Sequence, residues 1–215
     1  MRERPLVIRV GTSFIDADHA ILALDREVGD ASFRDVAASA RREWNRQLGR
    51  IRVSGLSDSQ RTVFYTALYR SLLFPRALHE IDAEGRLVHR SPYDDKVHPG
   101  LLYSDFGLWD TYRTLFPLYG LVYPERYQRI LRGLLNAAAE GGGFPKWASP
   151  AYRNGMPGTQ SEVLFADAWV KGLRDFDLPR VYDISRRSGL VPGNTRFGRV
   201  GLAAYDSLGF VPAAF

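Results

Sequence analysis

Residues 57–72, with the sequence SDSQRTVFYTALYRSL, decide the fold class because they hold both a helix start and a complete apolar helical face. Ser57 followed by Gln60 is the pattern of a capping box, in which both side chains satisfy backbone groups at a helix N-terminus. Apolar residues recur at helical spacing: Val63, Phe64, Ala67, Leu68 and Leu72. Pro75 marks the end of the helix. The stretch therefore predicts an amphipathic α-helix.

The same spacing returns on both sides of this stretch. Upstream, residues 32–48 predict a helix with the apolar positions Phe33, Val36, Ala37, Ala40, Trp44 and Leu48. Downstream, helices are predicted over residues 107–119, 124–139, 161–174, 179–187 and 199–208. Pro124 suits a first helical turn, and the glycine run 141–143 suits a helix end. Helices joined by loops predict a mainly α protein, either a helical hairpin array or an α/α barrel, rather than an α/β fold.

Two segments break the helical pattern. Leu6–Val10 predicts one short strand, bounded by Pro5 and Gly11. A single strand needs a sheet to pair with, so it suggests that further strands lie upstream. Residues 81–99 are polar and rich in turn residues, which predicts a long surface loop with a possible hairpin.

Composition restricts the classes of function. The chain has 215 residues, 45% of them hydrophobic, a net charge of +5 and no cysteine. Its arginines alternate with acidic residues, which is typical of a mixed solvated surface and predicts no nucleic-acid partner. No run approaches the ~20 apolar residues of a membrane span, and the N-terminal residues lack the pattern of a signal peptide. We therefore expect no membrane partner, and the residues alone leave the localisation unknown.

Three segments place aromatic and polar residues beside glycine and proline: residues 107–113 (GLWDTYR), 142–147 (GGFPKW) and 154–159 (NGMPGT). A tryptophan beside a carboxylate and a guanidinium suits a sugar, which has one apolar ring face and a rim of hydroxyls. The alternatives stay open at this point. Trp109 and Trp147 could instead pack in the core at helix ends, and Asp110 could cap the helix that follows it.

Other chemistries lack their patterns. The four histidines show no metal-ligand spacing, so no metal ligand is predicted from the residues. Ser91 and Ser104 have no evident histidine and carboxylate partners, and no Gly-x-Ser-x-Gly motif occurs. The glycine run 141–143 follows a helix rather than a strand and does not predict a phosphate loop.

At these segments the chain resembles glycoside hydrolase family 92, the calcium-dependent exo-acting α-mannosidases. The resemblance covers nearly the whole chain in order. It rests on residues 64–69 (FYTALY), 108–113 (LWDTYR), 123–126 (YPER), 142–147 (GGFPKW), 156–158 (MPG), 166–172 (ADAWVKG) and 209–212 (GFVP).

The resemblance implies the domain organisation. The family fold is an N-terminal β-sandwich, a linking helical segment and an (α/α)6 barrel. Residues 1–31 would then be the end of the sandwich, residues 32–55 the linker helix and its connection, and residues 56–215 the first half of the catalytic barrel. The fold class expected is mainly α, a partial (α/α)6 barrel preceded by a short β remnant and a linker helix.

The resemblance also implies the reaction, hydrolysis of terminal α-linked mannose with inversion. Inversion uses a carboxylic acid and a carboxylate base about 6.5–9.5 Å apart. Calcium is the expected cofactor, mannose-containing glycans are the expected partners, and secretion or cell-surface attachment is the expected localisation. Trp109, Asp110 and Arg113 would line or support the mannose subsite, with Trp147 and Asn154 near the leaving-group side.

The chain departs from the family pattern at its catalytic acid. The family acid is a glutamate four residues before the methionine of the methionine-x-glycine element, and counting back from Met156 gives Tyr152. Glu162 is nearby but matches no family acid. The aspartates that activate water, and most calcium ligands, are expected beyond Phe215. No catalytic residue is therefore assigned within the chain.

Three hypotheses remain from the sequence. The chain could be a fragment of a family 92 hydrolase that acts on mannosides. It could instead be a non-catalytic carbohydrate-binding or structural remnant that lacks the general acid and base. It could also belong to an intact hydrolase whose C-terminal half is supplied by another chain.

Overall fold

The structure is a computed structural model that describes residues 6–153, 155–156, 158, 160–190 and 197–213. Within these residues helices dominate, which confirms the prediction of a mainly α protein. The helices are α1 (Ala17–Glu27), α2 (Phe33–Leu48), α3 (Asp58–Ser71), α4 (Leu108–Thr111), α5 (Leu115–Val122), α6 (Pro124–Gly141), α7 (Gln160–Val170), α8 (Leu178–Leu190) and α9 (Leu202–Leu208). The short strands are β1 (Arg76–Ala77), β2 (Glu80–Ile81), β3 (Leu87–Arg90), β4 (Val97–Pro99) and β5 (Tyr103–Ser104).

Helices α2 and α3 both begin at capping boxes. The Ser57 hydroxyl accepts a hydrogen bond from the Gln60 amide at 3.3 Å, and the Gln60 side chain accepts one from the Ser57 amide at 2.9 Å. Ser32 and Asp35 form the same reciprocal pair at the start of α2. Each box satisfies backbone N–H groups that have no partner inside the helix. The predictions from residues 32–48 and 57–72 are confirmed.

Helix α6 is the centre of the core. It contacts α5, α7, α8 and β5. Pro124 occupies its first position, and Gly142, in the left-handed region at a φ of 91°, follows its last residue, as the sequence predicts. The buried residues of the helix are Tyr127, Ile130, Leu131, Gly133, Leu134, Leu135, Ala137 and Ala138.

Three buried tyrosines tie this core to neighbouring helices through their hydroxyl groups. Tyr119 donates to the Ser71 carbonyl at the end of α3 at 2.6 Å, and Tyr123 donates to the Gln47 carbonyl in α2 at 3.1 Å. Tyr127 donates to a carbonyl in α7, that of Leu164, at 3.0 Å. A buried hydroxyl without a partner would be costly, so these bonds favour one arrangement of the helices.

Residues 76–104 form antiparallel β-structure between α3 and α4. Strands β2, β3 and β4 make a three-stranded sheet in chain order, and β1 pairs with β5. The hairpin predicted within residues 81–99 is therefore confirmed as β3 and β4, and β3 also pairs with β2.

A buried histidine joins this sheet to the core. His89 in β3 is fully buried, and its Nδ1 lies 3.0 Å from the Gly100 carbonyl oxygen. Its Nε2 lies 3.0 Å from a carboxylate oxygen of Glu140 near the end of α6. Because both ring nitrogens face acceptors, both hydrogen bonds form only when the imidazole carries two protons. The geometry is that of a buried His89–Glu140 ion pair.

Some sequence predictions are wrong in detail. Residues 6–10 form no strand, and the helix α1, which was not predicted, follows them. The apolar run suggested a strand, but extended backbone is a strand only when a neighbour supplies hydrogen bonds. The helix predicted over 107–119 is divided into α4 and α5 at residues 112–114, and α7 ends at Val170 rather than at residue 174.

The larger architecture stays a prediction. Nothing in the described residues tests the boundaries at 31/32 and 55/56, the sandwich remnant or the closure of a barrel. In the part of the chain that the structure describes, no helix combines the length and apolar character that crossing a bilayer requires.

Gly133 is expected to be a packing requirement of α6. A Cβ atom at this position would lie 2.7 Å from Cδ2 and 3.1 Å from the backbone nitrogen of Tyr103. Gly133→Ala should therefore lower the free energy of unfolding, measured in urea, by about 2 kcal/mol through overpacking. Gly189→Ala in α8 is the matched control, since a Cβ there meets nothing within 4 Å. That variant should be stabilised by roughly 0.5–1 kcal/mol, and equal behaviour of the two would contradict the packing argument.

Candidate functional site

Helix α4 and the residues directly after it present three of the five predicted sugar contacts together. Trp109 is 42% exposed, and Asp110 and Arg113 are also exposed. The Arg113 guanidinium lies over the Trp109 ring, 5.3 Å from its centroid, and 5.0 Å from the centroid of Tyr112. A guanidinium over an indole restrains the side chain and holds its ring in one orientation. The alternative that Trp109 packs in the core is therefore wrong.

Asp110 is not the N-cap of α4. Gly107 occupies that position, and no side chain makes a capping hydrogen bond there. Asp110 lies in the first turn, where the helix dipole favours a negative charge, and its carboxylate is exposed beside Trp109. A carboxylate in this position can accept hydrogen bonds from ligand hydroxyls.

A backbone hydrogen bond joins the residues that flank the first segment, 107–113, and the second segment, 142–147. The Phe106 amide donates to the Ala148 carbonyl at 3.1 Å, and the two residues form an isolated β-bridge. Phe106 precedes α4, and Ala148 directly follows Trp147. The fold therefore brings residues 106–113 and 147–153 to one place, although about 40 residues separate them in the sequence.

Asp105 fixes this junction and was missed by sequence reasoning. Its carboxylate accepts from the Ser149 hydroxyl at 2.8 Å and forms an ion pair with Arg76 of β1. Burial acts to raise its pKa, but the bonds from Arg76 and Ser149 outweigh burial and leave the pKa below its usual value. Its φ of 62° lies in the left-handed region, which aspartate tolerates better than most residues. An aspartate two residues before Gly107 is the only signal that the sequence offered.

Trp147 is half-buried and its ring is covered by the backbone of Gly155. A Cβ atom at Gly155 would lie 3.2 Å from the Trp147 ring. The Trp147 carbonyl accepts a hydrogen bond from the Arg153 amide at 2.9 Å, which closes the loop over residues 147–153. Trp147 therefore lies partly exposed at the start of a loop closed by a backbone hydrogen bond. Asn154, the remaining predicted contact, lies outside the described residues.

Tyr152, which the resemblance puts near the position of the family acid, makes packing contacts. Its hydroxyl donates to the Gly143 carbonyl at 2.5 Å, and its ring packs edge-on against Tyr93 at a centroid distance of 4.8 Å. Gly141 allows this approach, because a Cβ there would lie 2.1 Å from the hydroxyl oxygen. In this structure the side chain holds the glycine-rich turn in place.

Glu162, near the start of α7, carries a carboxyl group close to the second segment, residues 142–147. Burial raises its pKa, an effect opposed by its own backbone amide and by the charge of Arg199. It lines a cavity of about 10 Å³ together with Lys146, Ser188 and Arg199. A space of that size holds at most one water molecule. This cavity is therefore too small to hold a sugar.

Calcium has no complete set of ligands in the part of the chain that is described. No three histidine, aspartate or glutamate side chains converge there in a metal-binding arrangement. Calcium takes six to eight oxygen ligands. No chemical step is therefore assigned to calcium here.

Comparisons with known proteins agree with the sequence resemblance. The family model for the glycosyl hydrolase family 92 catalytic domain matches residues 19–214. An uncharacterized secreted glycosidase of Arthroderma benhamiae is 27% identical over 213 residues, which are 95% of this chain and 23% of that protein.

Two solved structures from Bacteroides thetaiotaomicron are similar. A family 92 inverting mannosidase is 41% identical with a TM-score of 0.89, and the match covers 94% of this chain and 28% of that one. A family 92 α-mannosidase is 25% identical with a TM-score of 0.79, over 93% and 26% of the two chains. This chain spans about a quarter of the length of these relatives. Because the family model matches most of its residues, the chain belongs to glycosyl hydrolase family 92 and corresponds to part of its catalytic domain.

Proposed function

We propose that this chain supplies the sugar-contacting face of a glycoside hydrolase that removes terminal α-linked mannose from glycans with inversion. The observation that carries the proposal is the exposed Trp109 ring, held by Arg113 beside the exposed carboxylate of Asp110. An aromatic face can stack on the apolar side of a pyranose, and a carboxylate can accept from two of its hydroxyls. The solved relatives that are described as mannosidases support mannose as the sugar.

The division of roles follows from what the described residues offer. Trp109 would orient the ring, Asp110 would bind hydroxyls and Trp147 would lie toward the leaving group. Inversion also needs an acid and a base about 6.5–9.5 Å apart. The Tyr152 hydroxyl donates to the Gly143 carbonyl, and this side chain provides no carboxyl group. We therefore assign both the acid and the base to other parts of a longer protein or to a second chain. Calcium dependence is proposed from the family alone.

A second candidate is a non-catalytic mannose-binding module. The bond from Tyr152 to Gly143 favours it, because the residue that the resemblance puts near the family acid position is used for packing. Export or cell-surface attachment is proposed for either candidate. It is supported by the Arthroderma benhamiae relative, which is described as secreted.

The test is a proton NMR assay of the purified chain with methyl α-D-mannopyranoside and α-mannobiose, with added calcium and with a chelator. The same assay is repeated after adding a separately produced C-terminal half from a related enzyme. Initial release of β-mannose, lost on chelation, supports the inverting hydrolase. Binding without turnover under every condition supports the non-catalytic module. Absence of both binding and turnover would exclude both candidates.

A further inference from the structure

A cleft elsewhere on the molecule shares no lining residue with the Trp109 and Trp147 segments. It has a volume of about 520 Å³ and lies between α2 and α6. Trp44, Tyr103 and Tyr123 provide aromatic walls, and the polar lining contains four arginines and two glutamates. These are Arg46, Arg50, Arg126, Arg129, Glu43 and Glu125.

Four of the six charges neutralise one another. Arg46 pairs with Glu43 at 2.6 Å, and Arg50 pairs with Glu125. No carboxylate of the described residues pairs with the other two arginines, Arg126 and Arg129. The cleft therefore keeps two uncompensated positive charges. They are three residues apart on α6, so they lie on the same face of the helix.

Arg126 has structural contacts and an unused donor. One of its terminal nitrogens donates to the Leu72 carbonyl at 3.0 Å, and its guanidinium lies 5.4 Å from the centroid of the Tyr119 ring. Its Nε is buried and has no hydrogen-bond partner. Because this atom is not accessible from the cleft, an anion there would be attracted by the charge of Arg126 rather than bonded by its Nε.

Arg129 is positioned by a neutral partner. Its terminal nitrogen donates to His79 Nε2 at 3.3 Å, while His79 Nδ1 lies 3.0 Å from the Leu102 carbonyl oxygen. His79 Nε2 must accept from Arg129, so the ring is neutral and carries its proton on Nδ1. Burial lowers the pKa of His79, and the charge of Arg129 adds to that effect. This contact orients Arg129 and leaves its charge uncompensated.

We propose that this cleft binds a small oxyanion, a carboxylate or a phosphate, between Arg126 and Arg129. Guanidinium groups bind both oxyanions with paired hydrogen bonds. An apolar portion of the ligand would lie against Trp44 and Tyr123. This inference does not depend on the proposed function.

The test is isothermal titration of the purified chain with inorganic phosphate and, separately, with malonate, at constant ionic strength set with sodium chloride. The tighter anion identifies the ligand class. Arg129→Gln should weaken binding at least tenfold. Arg132→Gln is the matched control, with the same charge change one turn later on α6, outside the cleft and paired with Asp175. It should bind as the parent chain does. Binding of neither anion, or equal loss in both variants, overturns the proposal.

A second measurement avoids variants that fail to fold. The imidazole signals of the parent chain are followed by NMR during the same titrations. An anion on Arg129 should raise the pKa of His79, because it offsets the positive charge beside that ring. The signals of His98, which is paired with Asp94 and does not line this cleft, should stay unchanged. Equal shifts of both histidines, or no shift of His79 at saturating anion, contradict the proposal.

Discussion

Trp109→Ala is expected to lower the affinity for α-mannosides at least tenfold, a loss of about 1.4 kcal/mol. Tryptophan contacts dominate many binding sites because they bury a large rigid surface. Trp109 is exposed and held over Arg113, so its truncation removes a ligand surface without opening a core cavity. The measurement is isothermal titration or saturation-transfer NMR with methyl α-D-mannopyranoside, alongside a melting curve of the variant.

The chain contains a matched control for this variant. Trp169 in α7 has the same kind of contact, with Arg174 lying 4.6 Å from its ring centroid, but lies outside the two segments that meet at Phe106 and Ala148. Trp169→Ala should leave mannoside affinity unchanged. Asp110→Asn should also weaken binding, by about 1.5–3 kcal/mol if its carboxylate accepts from sugar hydroxyls. Full affinity in Trp109→Ala would remove the basis of the proposed sugar site.

His89→Phe is expected to lower the free energy of unfolding by about 3 kcal/mol. The phenyl ring fills the space of the imidazole, but the Glu140 carboxylate, with a side chain 10% exposed, loses its partner. Removing one member of a buried ion pair costs about 3–5 kcal/mol, because the other charge stays buried. Urea unfolding at pH 6 measures the effect. A loss below about 1 kcal/mol would contradict the buried ion pair.

The same pair predicts how stability changes with pH. Burial acts to lower the pKa of His89, but the hydrogen bonds to Glu140 and to the Gly100 carbonyl outweigh it, so the pKa lies above its usual value of about 6.5. A raised pKa in the folded state stabilises the fold fully below about pH 6.5, and this contribution is lost as the pH rises through the raised value. Unfolding free energies of the parent chain should therefore fall from pH 6 upward. Glu140→Gln should flatten that dependence, and an unchanged slope in this variant would assign it to other groups.

The helices and the family resemblance could be predicted because both depend on residues that are close together in the sequence. The capping residues Ser32 and Ser57, the apolar spacing and Pro124 depend on near neighbours in the chain, so they could be interpreted from the sequence alone. The family motifs likewise occupy continuous segments, and the match over residues 19–214 agrees with them. Trp109, Asp110 and Arg113 were predicted together because they lie within five consecutive residues, in α4 and directly after it.

Tertiary structure decided everything that depends on partners distant in sequence. Residues 6–10 have strand composition, but a strand requires hydrogen bonds from a neighbouring strand, and these residues have none. The bridge of Phe106 with Ala148, the bond of Asp105 with Ser149 and the His89–Glu140 pair each join residues more than 40 positions apart. Periodicity carries no information on such pairs, because it reports only which face of an element is apolar. The sequence by itself therefore determined the helices and the family, while long-range packing determined which side chains meet and which charges remain unpaired.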